Sequence, residues 1–191
     1  MQDVRTRLIE ATFHEVFSKG YTGASLSNIL NRAEVKKGAM YHYFPSKKDM
    51  VLTMIDEKLA QRIEKKWNDL ANTNADIINA LISILQDINS WDLINGCPLG
   101  NLLQEPLEQD EDFAQVLTSI LDNWKDLFTK ILQKAKDNKQ LKENVDTKQC
   151  ATFLIASIEG ALLLSKKYKD NNDFESCMNQ LSLYLNSQRI N

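Results

Sequence analysis

The chain contains few of the two residues that most often interrupt helices. Its 191 residues include six glycines and three prolines, and no stretch sustains the alternation of apolar and polar residues that a half-buried strand requires. Proline in a helix interior removes a hydrogen bond, and glycine adds backbone freedom that helix formation must overcome. Their scarcity, together with apolar residues at helical spacing along most of the chain, predicts an all-α fold.

Histidine and cysteine are also scarce. The two histidines are His14 and His42, and the three cysteines, Cys97, Cys150 and Cys177, are far apart. None of them is paired at the spacing of zinc ligands, and no glycine-rich loop is present that could cradle a phosphate, so we expect no metal site and no cofactor. Three isolated cysteines argue against the disulfide framework of a secreted protein and favour reduced thiols.

Long apolar runs are absent as well. The longest runs from Phe153 to Leu164 and contains Glu159, so it is too short and too polar to span a membrane. Charged and polar residues at the N-terminus interrupt any apolar core of a signal peptide. We therefore expect a cytoplasmic protein without a membrane segment.

The most informative pattern lies between Ser25 and Met50 and predicts two short helices joined by a tight turn. In the first helix the apolar residues have the spacing of one buried face: Leu26, Ile29, Leu30 and Ala33. Ser25 stands where an N-cap belongs. Glu34 occupies the turn, where a positive φ is often needed, and Glu in that conformation costs roughly 1 kcal/mol relative to Gly.

The second helix begins after Glu34 and has two different sides. The residues expected to point inward are Val35, Met40 and Phe44, and those expected to point outward are Lys37, Gly38, Tyr41 and His42. The outward side has no large aliphatic residue, and it offers hydrogen-bonding groups to phosphates and base edges. Such a pair of helices is typical of a helix-turn-helix motif, whose second helix lies in the major groove of DNA.

This pattern resembles the TetR/AcrR family of bacterial transcriptional regulators. The resemblance covers roughly the first 55 residues and rests on an N-terminal helix, Gly20-Tyr21, the two helices above and the run YHYFPSKKDM. It implies a three-helix DNA-binding domain at residues 1–55, with its helix-turn-helix motif at 25–44, and a helical domain at 56–191 for effector binding and dimerisation. Two positions depart from the family pattern: Glu34, where Gly is usual, and the pair Lys36-Lys37.

The resemblance also implies double-stranded operator DNA as the partner and residues that meet it, mostly at phosphates: Ser25, Lys36, Lys37, Gly38, Tyr41, His42 and Lys47. The charge distribution agrees with that role. Residues 1–50 hold eight Lys and Arg against five Asp and Glu, a net +3, whereas the remainder holds fifteen against twenty-one, a net −6. A basic head on an acidic body keeps the attraction for phosphates local.

Helical spacing predicts further helices, whose approximate limits are Ser46–Leu70, Ala75–Trp91, Asp112–Asn138, Thr147–Lys169 and Asp173–Ser187. The segment LINGCPLGNLLQEP interrupts this series and leaves room for one short helix between its prolines. By the resemblance, the last two long helices pair with those of a second copy to form a homodimer. An intramolecular core would produce the same apolar stripes.

The resemblance further implies a small-molecule effector and a pocket for it. The candidate lining residues are Ile63, Trp67, Ile84, Ile88, Trp91, Cys97, Asn101, Phe113, Leu117, Trp124 and Glu159, each of which could instead belong to the core. Glu159 lies on an apolar helix face, where a carboxylate must find a partner or become protonated. It could keep its carboxylate in water at the edge of that face, form a hydrogen bond across the dimer, or bind a cationic effector.

Cys97 is the other candidate for chemistry. It lies between Gly96 and Pro98 at an expected helix start, where the helix dipole lowers the pKa of a thiol. The Gly-Cys pair resembles a TetR subgroup that senses electrophiles or oxidants through a cysteine, and the resemblance places Lys166 near the thiol, where an ammonium favours the thiolate. An inert cysteine is the alternative.

Taken together, these features predict a homodimeric DNA-binding regulator rather than an enzyme. We expect a repressor that a small-molecule or electrophilic effector releases from a pseudo-palindromic operator. A thiol enzyme using Cys97 is one alternative, although both histidines lie in the predicted DNA-binding domain and so cannot serve as its base. A helical adaptor without DNA binding is the other.

Overall fold

The computed structural model describes residues 3–73, 75–168 and 170–190, and these residues form helices without a β-strand. The expected all-α fold is confirmed. The α-helices are α1 Val4–Gly23, α2 Leu26–Ala33, α3 Lys37–Met40, α4 Lys47–Met54, α5 Ala60–Asn72, α6 Ile77–Gln86, α7 Pro98–Leu103, α8 Glu111–Asp137, α9 Thr147–Tyr168 and α10 Asn172–Ser187. A π-helical segment, Ile55–Leu59, separates α4 from α5, and short 3₁₀ turns occur at Ile88–Ser90 and Pro106–Gln109.

The chain divides into two compact units. The first comprises Met1–Ile63 with Pro98–Ile120, and the second comprises Glu64–Cys97 with Leu121–Asn191. The segment Pro98–Ile120, which the sequence suggested as part of the C-terminal domain, therefore shares a unit with the expected DNA-binding helices.

In the first unit, local capping explains where the helices begin. Asp3 accepts a hydrogen bond from the Thr6 N–H at 2.9 Å at the start of α1. A capping box begins α4: the Ser46 hydroxyl accepts from the Asp49 N–H at 3.1 Å and donates to the Asp49 carboxylate at 2.5 Å. Glu34 ends α2 with φ 55° and ψ 44°, which confirms the positive φ expected in the turn.

In the second unit, α6 is shorter than the sequence indicated. Its start is capped by Asp76, which accepts from the Asn79 N–H at 3.0 Å. It ends at Gln86, because Asp87 leaves the helical region with φ −75° and ψ 90° and its carboxylate accepts from the Asn89 N–H at 3.2 Å. The expected single helix to Trp91 is thus wrong at its end: an Asp that can satisfy a backbone N–H itself competes with the helix.

The last two helices bury one apolar face each and pack together. Leu154, Ile158 and Leu162 of α9 are buried, as are Phe174 and Leu181 of α10. Lys169, at the expected end of α9, lies outside the described residues. Within the described ranges, no helix is long and apolar enough to cross a membrane.

Candidate nucleic-acid interface

The short helix α3 has the two sides that its sequence predicts. Val35, Met40 and Phe44 are 9%, 0% and 3% exposed, so this side holds the segment against the rest of the first unit. The α-helix itself ends at Met40 and is followed by a tight turn, in which the Tyr43 and Phe44 N–H groups both donate to the Met40 carbonyl at 2.9 Å. The buried residues Val35, Met40 and Phe44 therefore hold this short segment in place, and the opposite side of α3 faces solvent.

The solvent-exposed side of α3 carries cationic and aromatic side chains and one glycine. Lys36, Lys37, Gly38, Tyr41 and His42 are all exposed. Within the described parts of the chain, neither lysine forms an ion pair, and the Lys37 ammonium lies 6.0 Å from the centre of the Tyr41 ring. A Cβ added at Gly38 would meet nothing within 4 Å, so the fold itself does not require a glycine there.

Tyr43, which the sequence did not single out, shares this exposed surface. It is 47% exposed and follows Tyr41, which is 51% exposed. Its place in the run YHYFP was the available signal, since an exposed tyrosine beside a predicted reading helix can donate its hydroxyl to a phosphate.

Ser25 caps α2 as expected, and a buried carboxylate holds it. The Ser25 N–H donates to Glu15 at 3.3 Å, and Asn28 Nδ2 and Lys19 Nζ donate to the same oxygen at 2.9 and 3.1 Å. Burial raises the pKa of Glu15, but these three hydrogen bonds outweigh it and hold the pKa below its usual value. Glu15 was not predicted, because only its spacing to Lys19 is visible in the sequence.

Lys47 is turned toward the protein. Its ammonium donates to the carbonyls of Tyr21 and Ala24 at 2.6 and 2.7 Å and lies 4.5 Å from the centre of the Tyr21 ring. Burial of the ammonium lowers the Lys47 pKa, and the charges of Glu105 and Glu15 oppose that shift. Two of its three donors are thus used within the unit, and only one is left for a phosphate.

Other cations of the first unit are neutralised by carboxylates. Lys48 contacts Asp110 at 2.8 Å and Asp112 at 2.7 Å, and these hydrogen bonds raise the Lys48 pKa. Arg5 pairs with Glu57, and Lys58 pairs with Glu10. Among the described residues up to position 50, Lys36 and Lys37 at α3 and Arg32 at the end of α2 remain exposed without an ion pair.

The residues proposed for an effector pocket are divided between the two units. Ile63, Asn101, Phe113 and Leu117 belong to the first unit. Phe113 is 1% exposed, and its ring lies 4.6 Å from that of Tyr21 and 6.0 Å from the Lys48 ammonium. These are the contacts of a core residue of the first unit.

In the second unit, the structure brings two of the candidate tryptophans together in an aromatic cluster. The ring centres of Trp67 and Trp91 are 5.9 Å apart, and Trp67 also contacts Phe128 at 4.8 Å. Phe174 lies 5.3 Å from Trp91, and Trp124 lies 6.1 Å from Phe128. Ile84 and Ile88 are half-buried and belong to the same unit. Phe128 and Phe174 were not predicted, because the sequence does not show which helix faces meet.

The second unit also contains a thiol–carboxyl contact. The half-buried Cys97 donates a hydrogen bond to Glu159, whose pKa is raised by burial and lowered to a smaller extent by this bond. The other carboxyl oxygen, Oε1, is buried without a hydrogen-bond partner. Lys166 lies seven residues further along α9 and is exposed. Within the described residues, no cluster of three or more His, Cys, Asp or Glu side chains could hold a metal ion.

Comparison with known proteins agrees with this architecture. Residues 8–54 match the family model for bacterial regulatory proteins of the tetR family, and residues 75–181 match the model for the tetracyclin repressor-like C-terminal domain. The chain is a member of the TetR family. It is therefore a DNA-binding transcriptional regulator, and the resemblance seen in its first 55 residues extends through most of its length.

Individual relatives support the same assignment. The chain is 31% identical over 183 residues to an HTH-type transcriptional regulator from the lacX 3′ region of Lactococcus lactis subsp. lactis, covering 92% of this chain and 90% of the relative. It is 26% identical to the transcriptional repressor DhaR of a Mycobacterium species, covering 85% and 82%. The reduced form of NemR from Escherichia coli shares its fold, with a TM-score of 0.86, 23% identity and coverage of 99% and 98%.

The contacts of Lys47 generate a stability prediction. Lys47→Met removes the ammonium from the Tyr21 and Ala24 carbonyls, so we expect the free energy of unfolding to fall by about 2 kcal/mol. Lys37→Met, at an exposed position, should change it by less than about 0.5 kcal/mol. Urea unfolding followed by circular dichroism compares the two variants. Equal midpoints would show that these two hydrogen bonds do not stabilise the unit.

Proposed function

We propose that this TetR-family regulator is a homodimeric repressor that binds a pseudo-palindromic operator and is released from it by a small-molecule or electrophilic effector. The observation that carries the DNA-binding half is the exposed side of α3. Among the described residues of the first unit, this side combines unpaired lysines with a glycine that the fold does not require.

The chemistry of α3 suits the major groove. Lys36 and Lys37 can reach phosphates or guanine edges, and Tyr41 and His42 offer further hydrogen-bonding groups. Gly38 lies between these side chains on the exposed surface, where a missing Cβ allows the helix backbone to approach the base edges. Ser25, at the start of α2, and the remaining donor of Lys47 complete the proposed contact set.

The Gly38→Ala variant tests this interface. We expect it to fold with a free energy of unfolding that is unchanged or higher by about 0.5–1 kcal/mol, because alanine favours helix and its Cβ meets no neighbour. The affinity for operator DNA should fall about tenfold, a loss of about 1.4 kcal/mol, because the methyl group occupies the space next to the groove. Mobility shift on fragments from upstream of the protein's own gene measures the affinity.

Two lysine variants accompany this measurement. Lys37→Ala should reduce the slope of log affinity against log salt by about one, whereas Lys130→Ala, exposed in the second unit, should leave it unchanged. Selection from a randomised half-site then shows whether Lys36 and Lys37 read bases or only position the helix. If the parent protein shifts no fragment, the DNA-binding half of the proposal fails and the adaptor alternative gains support.

An exposed apolar stripe supports the homodimer. On α9 it consists of Phe153, Ala156, Gly160 and Leu163, which recur every three or four residues on the side opposite the buried face. Phe153 and Leu163 are 46% and 51% exposed, and Leu183 on the adjacent helix α10 is 61% exposed. A second copy of the same two helices would cover this stripe, and a twofold dimer matches two half-sites one helical turn apart.

The Gly160→Leu variant tests the dimer. A Cβ at Gly160 meets nothing within 4 Å, so the single chain should accept a larger side chain without unfolding. In the dimer, however, that side chain would separate the two α9 helices, and we expect monomers at micromolar concentration in sedimentation equilibrium. Lys130→Leu adds a similar apolar side chain elsewhere in the second unit and should remain dimeric. A dimeric Gly160→Leu protein would show that the copies meet through another surface.

The release half of the proposal rests on Cys97. Its thiol is half-buried and contacts a carboxyl group, whereas Cys150 is 3% exposed, and burial raises its pKa. We propose that Cys97 is the thiol that reacts with an electrophilic effector and that Lys166 assists its ionisation. With a quinone, the sulfur would bond to a ring carbon, and the thiol proton would pass to the quinone oxygen.

We expect benzoquinone to release the parent protein from operator DNA, while Cys97→Ser stays bound under the same treatment. Cys150→Ser and Cys177→Ser should release DNA like the parent, and Lys166→Ala should need more quinone because its thiol is less ionised at neutral pH. Mobility shift over a quinone titration measures each release. If Cys97→Ser loses DNA as readily as the parent, the effector acts without Cys97.

A further inference from the structure

The corner between α1 and α2 has an unusual backbone that is stabilised by a distant carboxylate. Gly20 interrupts α1 with φ 72° and ψ 175°. Directly after it, the Tyr21 and Thr22 N–H groups donate to the two carboxylate oxygens of Glu105 at 2.7 and 2.9 Å. Successive N–H groups beside a residue of positive φ form a concave site that favours an anion, and Glu105 supplies that anion from within the same unit.

Gly20 is required here for two reasons. Its positive φ disfavours a residue with a side chain, and a Cβ at this position would collide with the Glu105 carboxylate. The corner and the carboxylate therefore fit each other closely. The backbone of Glu105 is itself fixed. This residue lies between α7 and the 3₁₀ turn at Pro106–Gln109, and its N–H donates to the Leu102 carbonyl at 3.1 Å.

The Tyr21 peptide group is bound by charged groups at both ends. Its N–H donates to the Glu105 carboxylate, and its carbonyl accepts from the Lys47 ammonium at 2.6 Å. Hydrogen bonds in such a chain polarise one another and become stronger than either alone. The Tyr21 ring also contacts both the Lys47 ammonium and the Phe113 ring. Tyr21 thus joins α1, α4 and the first turn of α8.

This corner leads directly into the proposed DNA interface. The Ala24 carbonyl, which also accepts from Lys47, belongs to the residue before Ser25, the cap of α2 and a proposed phosphate contact. A change in the backbone at Tyr21 and Thr22 would therefore shift the start of α2. Glu105 does not itself need to approach DNA to have this effect.

We propose that Glu105 is a positioning residue for DNA binding: its carboxylate holds the backbone at Tyr21 and Thr22 so that the start of α2 meets a phosphate. This role rests on the proposed operator binding. It also makes the segment between α7 and α8 a determinant of operator affinity, although that segment supplies none of the proposed contacts to DNA.

Full-length Glu105→Ala and Glu105→Gln test the proposal on any fragment that the parent protein shifts. We expect Glu105→Ala to bind about tenfold more weakly, since two charge-assisted hydrogen bonds are lost, and its salt slope to stay close to that of the parent, because the phosphate contact that is lost is made by neutral groups at the start of α2. Glu105→Gln keeps one acceptor oxygen and should bind about threefold more weakly. Glu111→Gln removes the same charge from an exposed position in the same unit and should bind within about twofold of the parent.

Two further readouts separate positioning from general destabilisation. The amide proton resonances of Tyr21 and Thr22 should move upfield in both Glu105 variants, while the urea midpoint of Glu105→Gln stays close to that of the parent. A purely structural role would lower the folded fraction without changing the affinity of the molecules that remain folded. If Glu105→Ala binds as tightly as the parent, this role is overturned while operator binding stands. A parent protein that shifts no DNA overturns both.

Discussion

Backbone groups at the corner between α1 and α2 are satisfied by charged side chains, and the geometry of the DNA-binding helices depends on this. Helix ends leave N–H and carbonyl groups without intrahelical partners, and buried ones must be paired. Here Glu15 accepts from the Ser25 N–H, Glu105 accepts from those of Tyr21 and Thr22, and Lys47 donates to two carbonyls. These side chains come from three parts of the chain, so the corner acquires its form only when the whole first unit has folded.

Much of the fold could be predicted from the sequence, because its signals are local. The inward residues Val35, Met40 and Phe44, the capping box at Ser46 and the positive φ of Glu34 each depend on neighbours within a few positions. The role of Glu105 could not be predicted, since its partners are 83 and 84 residues away. Lys47 shows the same limit: family resemblance suggested a phosphate contact, but the direction of its ammonium is a tertiary property.

The second unit shows how much of a candidate binding site helical periodicity can predict. Apolar spacing identified Trp67 and Trp91 as candidates, and the structure does place their rings in contact. Apolar spacing could not identify Phe128 and Phe174 as their neighbours, because the apolar face of one helix does not show which other helix it packs against. Glu159 was expected to need a partner, and it receives the Cys97 thiol while its second oxygen remains unpaired. That unpaired oxygen retains the capacity to accept a hydrogen bond.

Charge pairing within the first unit explains why positioning matters for this regulator. Residues 1–50 have a net charge of +3, but Lys48 is paired with Asp110 and Asp112, and Arg5 with Glu57. Of the eight Lys and Arg residues in this segment, the exposed ones without an ion pair among the described residues are Arg32, Lys36 and Lys37, so nonspecific attraction for phosphates should be limited. With few cations to attract phosphates, operator affinity depends more on correctly placed neutral contacts such as Ser25. A small movement of the corner would then suffice to change operator binding, without any residue at the interface being altered.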